Sequence, residues 1–270
     1  MLKPKFRLQF KYQMYTDQFT NIRLEDMEKV KLMSRTDRKF SFHFEHLQEL
    51  LRSISDRYYV LEIEGKNEML YATTYYDTTI NKMYTSHHNG KLNRYKIRHR
   101  SYISSALSFL EIKFKNNKGK TIKKRIPADF NNPGFTTEER EFVKNNTPFC
   151  CEDLKTSLVN EFSRITLVNK NFNERCTIDS NLTYMNDKEC ISLKNLVVIE
   201  LKSGDRTLAS PLALALRKHR IKTSGFSKYC IGKTLTDTNI KRNAFKKKVR
   251  KLEKITHANL MESNNSETNV

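Results

Sequence analysis

In NRYKIRHRSY, Arg94, Lys96, Arg98 and Arg100 occupy every second position. An extended strand alternates its side chains between two faces, so this spacing puts all four cations on one face. Four like charges in a row repel one another unless something anionic lies opposite. The pattern recurs along the chain. FLEIKFK sets Glu111, Lys113 and Lys115 on one face and Leu110, Ile112 and Phe114 on the other, TIKKRI aligns Lys123 with Arg125, and VVIELKS pairs Glu200 with Lys202. Several strands with one apolar and one cationic face, punctuated by isolated carboxylates, imply a sheet curled around a polyanion with room for a metal ion.

Composition agrees with a basic body. Lys and Arg number 50 against 30 Asp and Glu in 270 residues, a net charge of +20, and 37% hydrophobic residues suffice for a core. From Lys241 onward there are 8 Lys/Arg and 3 Asp/Glu, so most of the excess lies outside the tail. Phosphates, nucleic acids or anionic membranes are the partners such a balance points to. Cys150, Cys151, Cys176, Cys190 and Cys230 form no C-x-x-C pair and are odd in number, which argues against a zinc site and a disulfide framework. They read as reduced thiols of a cytoplasmic protein. The start, MLKPKFRLQFKYQMY, lacks the apolar core of a signal peptide, and no later segment is long enough to cross a bilayer.

The order of elements is a meander and not a βαβ series. Leu24, Met27, Val30 and Met33 follow at helical spacing, SRTDRKFSFHF reads as a strand, and Leu47, Leu50, Leu51 and Ile54 form the buried stripe of a helix covering the outside of a sheet. Strands follow over 58–64, 70–76, 91–102, 108–115 and 120–126, the last two joined by the turn NNKGK. NNPG at 131–134 interrupts the pattern, and Thr136 with Glu139 predicts a capping box for a helix through Val143. Strands resume over 158–168, 175–182 and 196–202. Ser210 and Pro211 predict the start of a helix over 212–217, and Phe245, Val249, Leu252 and Ile255 the buried stripe of a basic helix over 241–256. The expected organisation is one domain over 1–256, with 257–270 a disordered tail.

Condensed phosphates need dispersed cations, arginine as a planar fork and lysine as a mobile point charge. Arg164 and Arg175 fall on further alternating strands, where Arg175, Thr177 and Asp179 share a face, and Lys228 lies between aromatics in GFSKYC. Magnesium or manganese on a polyphosphate needs one or two protein carboxylates, since phosphate and water complete the shell, so Glu200 and Glu111 are metal candidates. The plainer alternatives are a solvated sheet face for any one basic strand and ordinary ion pairs for the carboxylates. Four or five such strands together weigh against the first. Asp179 reads equally as a turn residue or a ligand. His43, His46, His87, His88 and His99 show no metal spacing, and P-loop, G-x-G-x-x-G and kinase signatures are absent.

The succession SRTDRKF, TTYYDTTINKMY, RYKIRHRSY, FLEIKFK, a K-x-R strand, R-x-T-x-D, VIELK and FSKYC resembles the VTC domain, the polyphosphate polymerase module of the vacuolar transporter chaperone complex, also found as a stand-alone bacterial protein. The motif order matches over about 24–255. The resemblance implies an α+β triphosphate tunnel fold, an antiparallel β-barrel with peripheral helices whose bore holds a triphosphate with Mn2+ or Mg2+. It further implies that Lys39, Arg98, Arg100, Lys113, Lys123, Arg125, Arg164 and Arg175 bind phosphate, that Glu111 belongs to the E-x-K strand, that Glu200 binds the metal, and that Lys228 reaches the nucleotide phosphates. Arg94, Lys96 and Lys202 join the phosphate-binding set from their position on the same strand faces.

The expected function is transfer of the terminal phosphate of ATP to polyphosphate, with Arg98, Arg100, Glu200 and Lys228 in the catalytic group. Phe109 stands where the related cyclase and thiamine triphosphatase branch has the first glutamate of E-x-E-x-K, which favours the polymerase branch. The chain shows neither the regulatory domain nor the membrane helices of the eukaryotic complex, so coupled translocation is not expected. Alternatives are a triphosphatase or polyphosphatase of the same fold, or a non-catalytic barrel for polyphosphate or RNA; DNA is not an expected partner. Tyr102 lies near the cations, but Tyr95 falls on the opposite strand face, so RNA ranks below phosphate chains. The basic helix is the candidate contact for a membrane-protein partner.

Overall fold

The computed structural model describes residues 13–29, 36–129, 134–204 and 210–260. The strands are β1 (Thr20–Ile22), β2 (Thr36–His43), β3 (Tyr58–Leu61), β4 (Glu68–Thr78), β5 (Arg94–Tyr102), β6 (Leu107–Lys115), β7 (Thr121–Ala128), β8 (Leu154–Asn169), β9 (Glu174–Met185), β10 (Cys190–Leu193) and β11 (Leu196–Ser203). The helices are α1 (Gln13–Thr16), α2 (Leu47–Arg52), α3 (Lys82–His88), α4 (Thr137–Asn146), α5 (Pro211–Lys218), α6 (Lys228–Thr236) and α7 (Asn243–Thr256).

One sheet runs in the order β2-β11-β9-β8-β4-β5-β6-β7, with β3 and β10 attached to β8 and β9 and β1 parallel to β3. Every neighbour along the main path is antiparallel. The expected barrel is not closed: among the described residues no ladder joins β7 to β2. The β2 edge is occupied and the β7 edge is blunted. Thr223 bridges Phe40 on the outer side of β2, and the Ser224 amide donates to the Lys39 carbonyl at 2.7 Å. β7 is mostly exposed, carries lysines, and contains Pro127, which has no N–H to give to a further strand.

The sheet nevertheless curls strongly. β2 and β5 are five strand steps apart, which would be about 24 Å in a flat sheet. Yet Lys39 on β2 donates to the Phe226 carbonyl at 3.2 Å and Lys96 on β5 to Ser227 Oγ at 3.1 Å, neighbouring residues at the start of α6.

Alternation sorts the two faces as the sequence implies. On the outer face, Phe40, Phe42, Ile165, Leu167, Ile178, Val197, Ile199 and Leu201 pack under α2 and α5. Further along, Ile97, Leu110 and Ile112 pack with Val143 of α4 and with Phe149 and Cys151. The capping box of Thr136 and Glu139 is present, and Ser210 caps α5. On the inner face, α6 packs across β8, β9 and β10 and joins a core with Tyr75, Tyr84, Leu158, Phe162 and Tyr184. α7 inserts Phe245, Val249 and Leu252 into this same core, so its apolar stripe is used internally and only its charged sides face outward.

Several expectations shift. The helical spacing from Leu24 resolves into a short 3-10 segment, Glu25–Lys29, while Val30 and Met33 lie outside the described residues, as does Asn131–Pro133 of the NNPG break. Residues 257–260, assigned by sequence to the disordered tail, are placed with Leu260 buried against the inner core; 261–270 lie outside the described residues. α6 and α3 carry no readable periodicity. Tyr229 to Thr236 are buried on all sides, so α6 has no polar stripe to mark its period. α3 begins at Lys82, and the carboxylate of the buried Asp77 at the end of β4 accepts from the Met83 and Tyr84 amides at 2.9 and 2.8 Å.

Gly232 makes the seating of α6 possible. A Cβ there would lie 2.3 Å from Tyr184 Cδ1 and 2.6 Å from Leu158 Cδ2, both on fully buried side chains. Gly232→Ala is therefore expected to destabilise by about 1–3 kcal/mol despite its better helix propensity, read as a lowered urea midpoint.

Candidate phosphate site

The inner face collects the predicted cations by register. Arg98 pairs across with Glu111, Lys96 with Lys113 and Arg94 with Lys115; Lys113 in turn faces Lys123, and Glu111 faces Arg125. At the other end of the path Lys39 faces Glu200, Arg175 faces Lys202, and Arg164 faces Asp179. All twelve predicted phosphate-binding cations lie on this face or at the α6 N-terminus that crosses it.

Three carboxylates hold the cations in place. Arg98 donates to Glu111 Oε2 through Nε at 2.9 Å and Nη2 at 2.6 Å, while Lys123 ion-pairs with Oε1. Arg164 straddles Asp179 at 2.6 and 2.8 Å, and Lys228 ion-pairs with the same carboxylate. Glu200 is shared by Lys39 at 3.2 Å and by Lys202, which also reaches Asp37 at 2.9 Å. Burial alone would raise these three carboxyl pKa values, but the adjacent cations outweigh it. Asp179 is held down at about 2, and Glu111 and Glu200 well below the usual carboxylate range.

The remaining cations are less balanced. Arg100 has its Nε buried with no hydrogen-bond partner among the described residues, and burial followed by the nearby Arg98 lowers its pKa. Lys113 is driven down to about 5, first by Arg98, then by burial and Arg100. Burial brings Lys96 to about 8. Arg125 lies 4.5 Å over the Phe109 ring, and Arg94 donates to the Lys91 carbonyl at 2.6 Å. An unpartnered guanidinium nitrogen on Arg100 and a lysine whose ammonium form is disfavoured by its neighbours both mark an excess of positive charge on this face.

The carboxylates differ as metal donors. The Glu111 side chain is 0% exposed and the Asp179 side chain 3%, each with both oxygens engaged, whereas Glu200 is 25% exposed. Its partners are both lysines, which can move to phosphate oxygens and free the carboxylate. Glu200 thus fits a hard cation whose shell is completed by phosphate and water. Among the described residues no three His, Cys, Asp or Glu side chains cluster into a ready metal cage.

Sequence reasoning did not single out Tyr75, whose hydroxyl accepts from Arg98 Nη1 at 3.2 Å, or Ser227, which caps α6 and accepts from Lys96. Asp179 was named without a firm role. The Arg before R-x-T-x-D carried the signal for it, because antiparallel register puts Arg164 opposite that Asp.

A curled antiparallel sheet with an inward cationic face is the architecture of the triphosphate-tunnel proteins. Residues 34–236 match the VTC domain, and the chain belongs to that family. A Hippeastrum protein named for adenylyl cyclase, described as having a dominant triphosphatase activity, superposes with a TM-score of 0.50 at 12% identity, covering 76% of this chain and 98% of its own. A Bacillus halodurans protein named provisionally as an adenylate cyclase gives 0.45 at 13% identity, covering 72% and 96%. No curated protein matches in sequence. No helix among the described residues is long and apolar enough to cross a membrane.

The lowered Lys113 pKa has a testable sign. An incoming phosphate favours the ammonium form, so binding takes up a proton wherever the free protein holds Lys113 neutral, between about pH 5 and 10. Tripolyphosphate affinity is expected to fall as pH rises through this window. At pH 7 Lys113→Arg, which is charged throughout, should take up about one proton fewer than the parent, measured by calorimetry in buffers of different ionisation enthalpy.

Proposed function

We propose that this chain is a metal-dependent phosphotransferase that moves the terminal phosphoryl group of ATP onto a polyphosphate chain held in the tunnel. The observation that carries the reading is the convergence of Lys39 from β2, Lys96 from β5 and, through Asp179, Arg164 from β8 on the start of α6, where Lys228 lies. Such an enclosure matches a linear polyanion with charge on every side.

Each group then has a task. Arg98, with two N–H groups on one Glu111 oxygen, and Arg164, with one on each Asp179 oxygen, form a rigid frame. Arg100, with its unpartnered Nε, and Lys113 bind phosphate oxygens directly. Lys123 and Arg125 hold the chain from β7, Arg175 and Lys202 from β9 and β11, and Arg94 and Lys96 at the far end of β5. Lys228 and Lys39 orient the nucleotide phosphates beside the α6 N-terminus, whose dipole also favours an anion. Glu200 holds Mn2+ or Mg2+, which when bound neutralises charge on the phosphates. Positioning and electrostatic stabilisation of the transferring group supply the catalysis.

With water as acceptor the same site would be a hydrolase. Phe109 favours phosphate. It stands where the related hydrolase branch is expected to have a glutamate, and its ring lies under Arg125 and 5.9 Å from Tyr102. An aromatic wall there offers no acceptor to orient an attacking water.

Incubation with ATP and Mn2+ is expected to give a ladder of growing phosphate chains on a gel, with little free phosphate in a parallel assay. Glu200→Gln should abolish the ladder while retaining tripolyphosphate binding, and Arg98→Ala or Arg100→Ala should weaken that binding by about tenfold or more. Orthophosphate without a ladder would make the enzyme a hydrolase. Full turnover in all three folded variants would refute the site.

A further inference from the structure

A second basic surface lies beyond the edge of β2, in a groove of about 410 Å3 between the end of β2, the turn after α5 and the last turns of α7. Arg220, Lys222, Lys251 and Lys254 line it, with four histidines and one carboxylate, Glu45. None of these four cations has a carboxylate partner among the described residues. Helices α5 and α7 both end here, and each carbonyl end carries roughly half a negative charge. Set against the four cations, those ends and Glu45 leave about two positive charges uncompensated before any histidine is counted.

Backbone strain marks the same place. Arg220 and His257 adopt left-handed conformations, with φ of 56° and 52°, just past the ends of α5 and α7. Glycine is the low-cost residue there, so Arg220→Gly would relieve backbone strain as it removes one groove cation.

The groove is connected to the tunnel in two ways. Along β2, Lys39, Ser41 and His43 share a face; Lys39 belongs to the Glu200 cluster, and the other two line the groove. Along α7, Lys248 Nζ lies 3.5 Å from where a side chain on Gly225 would begin, beside Phe226, whose carbonyl receives Lys39. Lys251 and Lys254 follow at three-residue intervals, so each lysine neighbours the next while the row winds by about 120° around the helix.

We propose that the ladder of Lys248, Lys251 and Lys254, together with the groove, forms a second binding track for linear polyphosphate, holding chain that extends beyond the tunnel. The track presupposes that the tunnel itself binds phosphate. A triphosphate confined to the tunnel does not reach it; a long chain does.

The test titrates tripolyphosphate and long-chain polyphosphate against the parent, Lys251→Glu/Lys254→Glu, and Lys246→Glu/Arg250→Glu, a charge-matched control on α7 residues that do not line the groove. The groove pair is expected to bind the long chain on the order of tenfold more weakly at low salt, with a shallower salt dependence and unchanged tripolyphosphate affinity. The control pair should differ from the parent by less than about twofold. Arg220→Gly is expected to raise the thermal midpoint while weakening long-chain binding. Equal losses in the two charge-reversed pairs, or an unchanged long-chain affinity in a parent that binds tripolyphosphate, would overturn the track. A parent that binds no tripolyphosphate would overturn the tunnel reading and the track with it.

Discussion

Repulsion among inward-facing cations is the constraint to which the rest of the structure answers. On β5, β6 and β7 alone, Arg98, Arg100, Lys113, Lys123 and Arg125 surround a single buried carboxylate, Glu111. A buried carboxylate is costly when left alone, and Glu111 is paired on both oxygens. Asp179 and Glu200 repeat the device further along the sheet. These three groups offset part of the inward charge without neutralising it. The surplus of positive charge is what draws in an anion.

Much of this was legible in the residues, because a period of two needs no tertiary knowledge. Arg94 to Arg100 declared one face, and Leu110, Ile112 and Phe114 the opposite one. Register was not legible. Nothing within FLEIKFK says that Glu111 stands opposite Arg98 and Arg125 and so serves them as counter-ion. The pairing follows from hairpin geometry, and it separates Glu111 from Glu200, which looked alike in sequence. α6 was hidden for a different reason. A helix buried on every side loses the amphipathic signal by which helices are recognised, and KYCIGKTLT carries no stripe.

The barrel expectation failed at one seam. Curling is seen in the meeting of β2 and β5 at the start of α6. Closure is a separate matter, because it needs two free edges. The stretch through Thr223 and Ser224 lines β2 on its way to α6, and Pro127 with the exposed lysines blunts β7. The loop that occupies the β2 edge also delivers Phe226, Ser227 and Lys228 to the site. The residues that would have closed the barrel by pairing β2 with β7 are instead spent on positioning the α6 N-terminus.

Arginine and lysine divide the labour within that enclosure. Every buried or half-buried carboxylate of the site holds at least one lysine: Glu111 has Lys123, Asp179 has Lys228, and Glu200 has Lys39 and Lys202. The two partners with paired hydrogen bonds, Arg98 and Arg164, are arginines. A guanidinium fork loses two aligned hydrogen bonds if it leaves its carboxylate, whereas an ammonium on a flexible stem gives up one contact and finds another. In the proposed function, entry of a phosphate chain would shift the lysines onto phosphate oxygens while the arginines stay as the frame. The carboxylate most released by such a shift is Glu200, because both of its partners are lysines, and it is also the most exposed of the three. The asymmetry that leaves Glu200 with two mobile partners and more exposure is the property that, in the proposed function, suits it to hold a metal ion with its substrate.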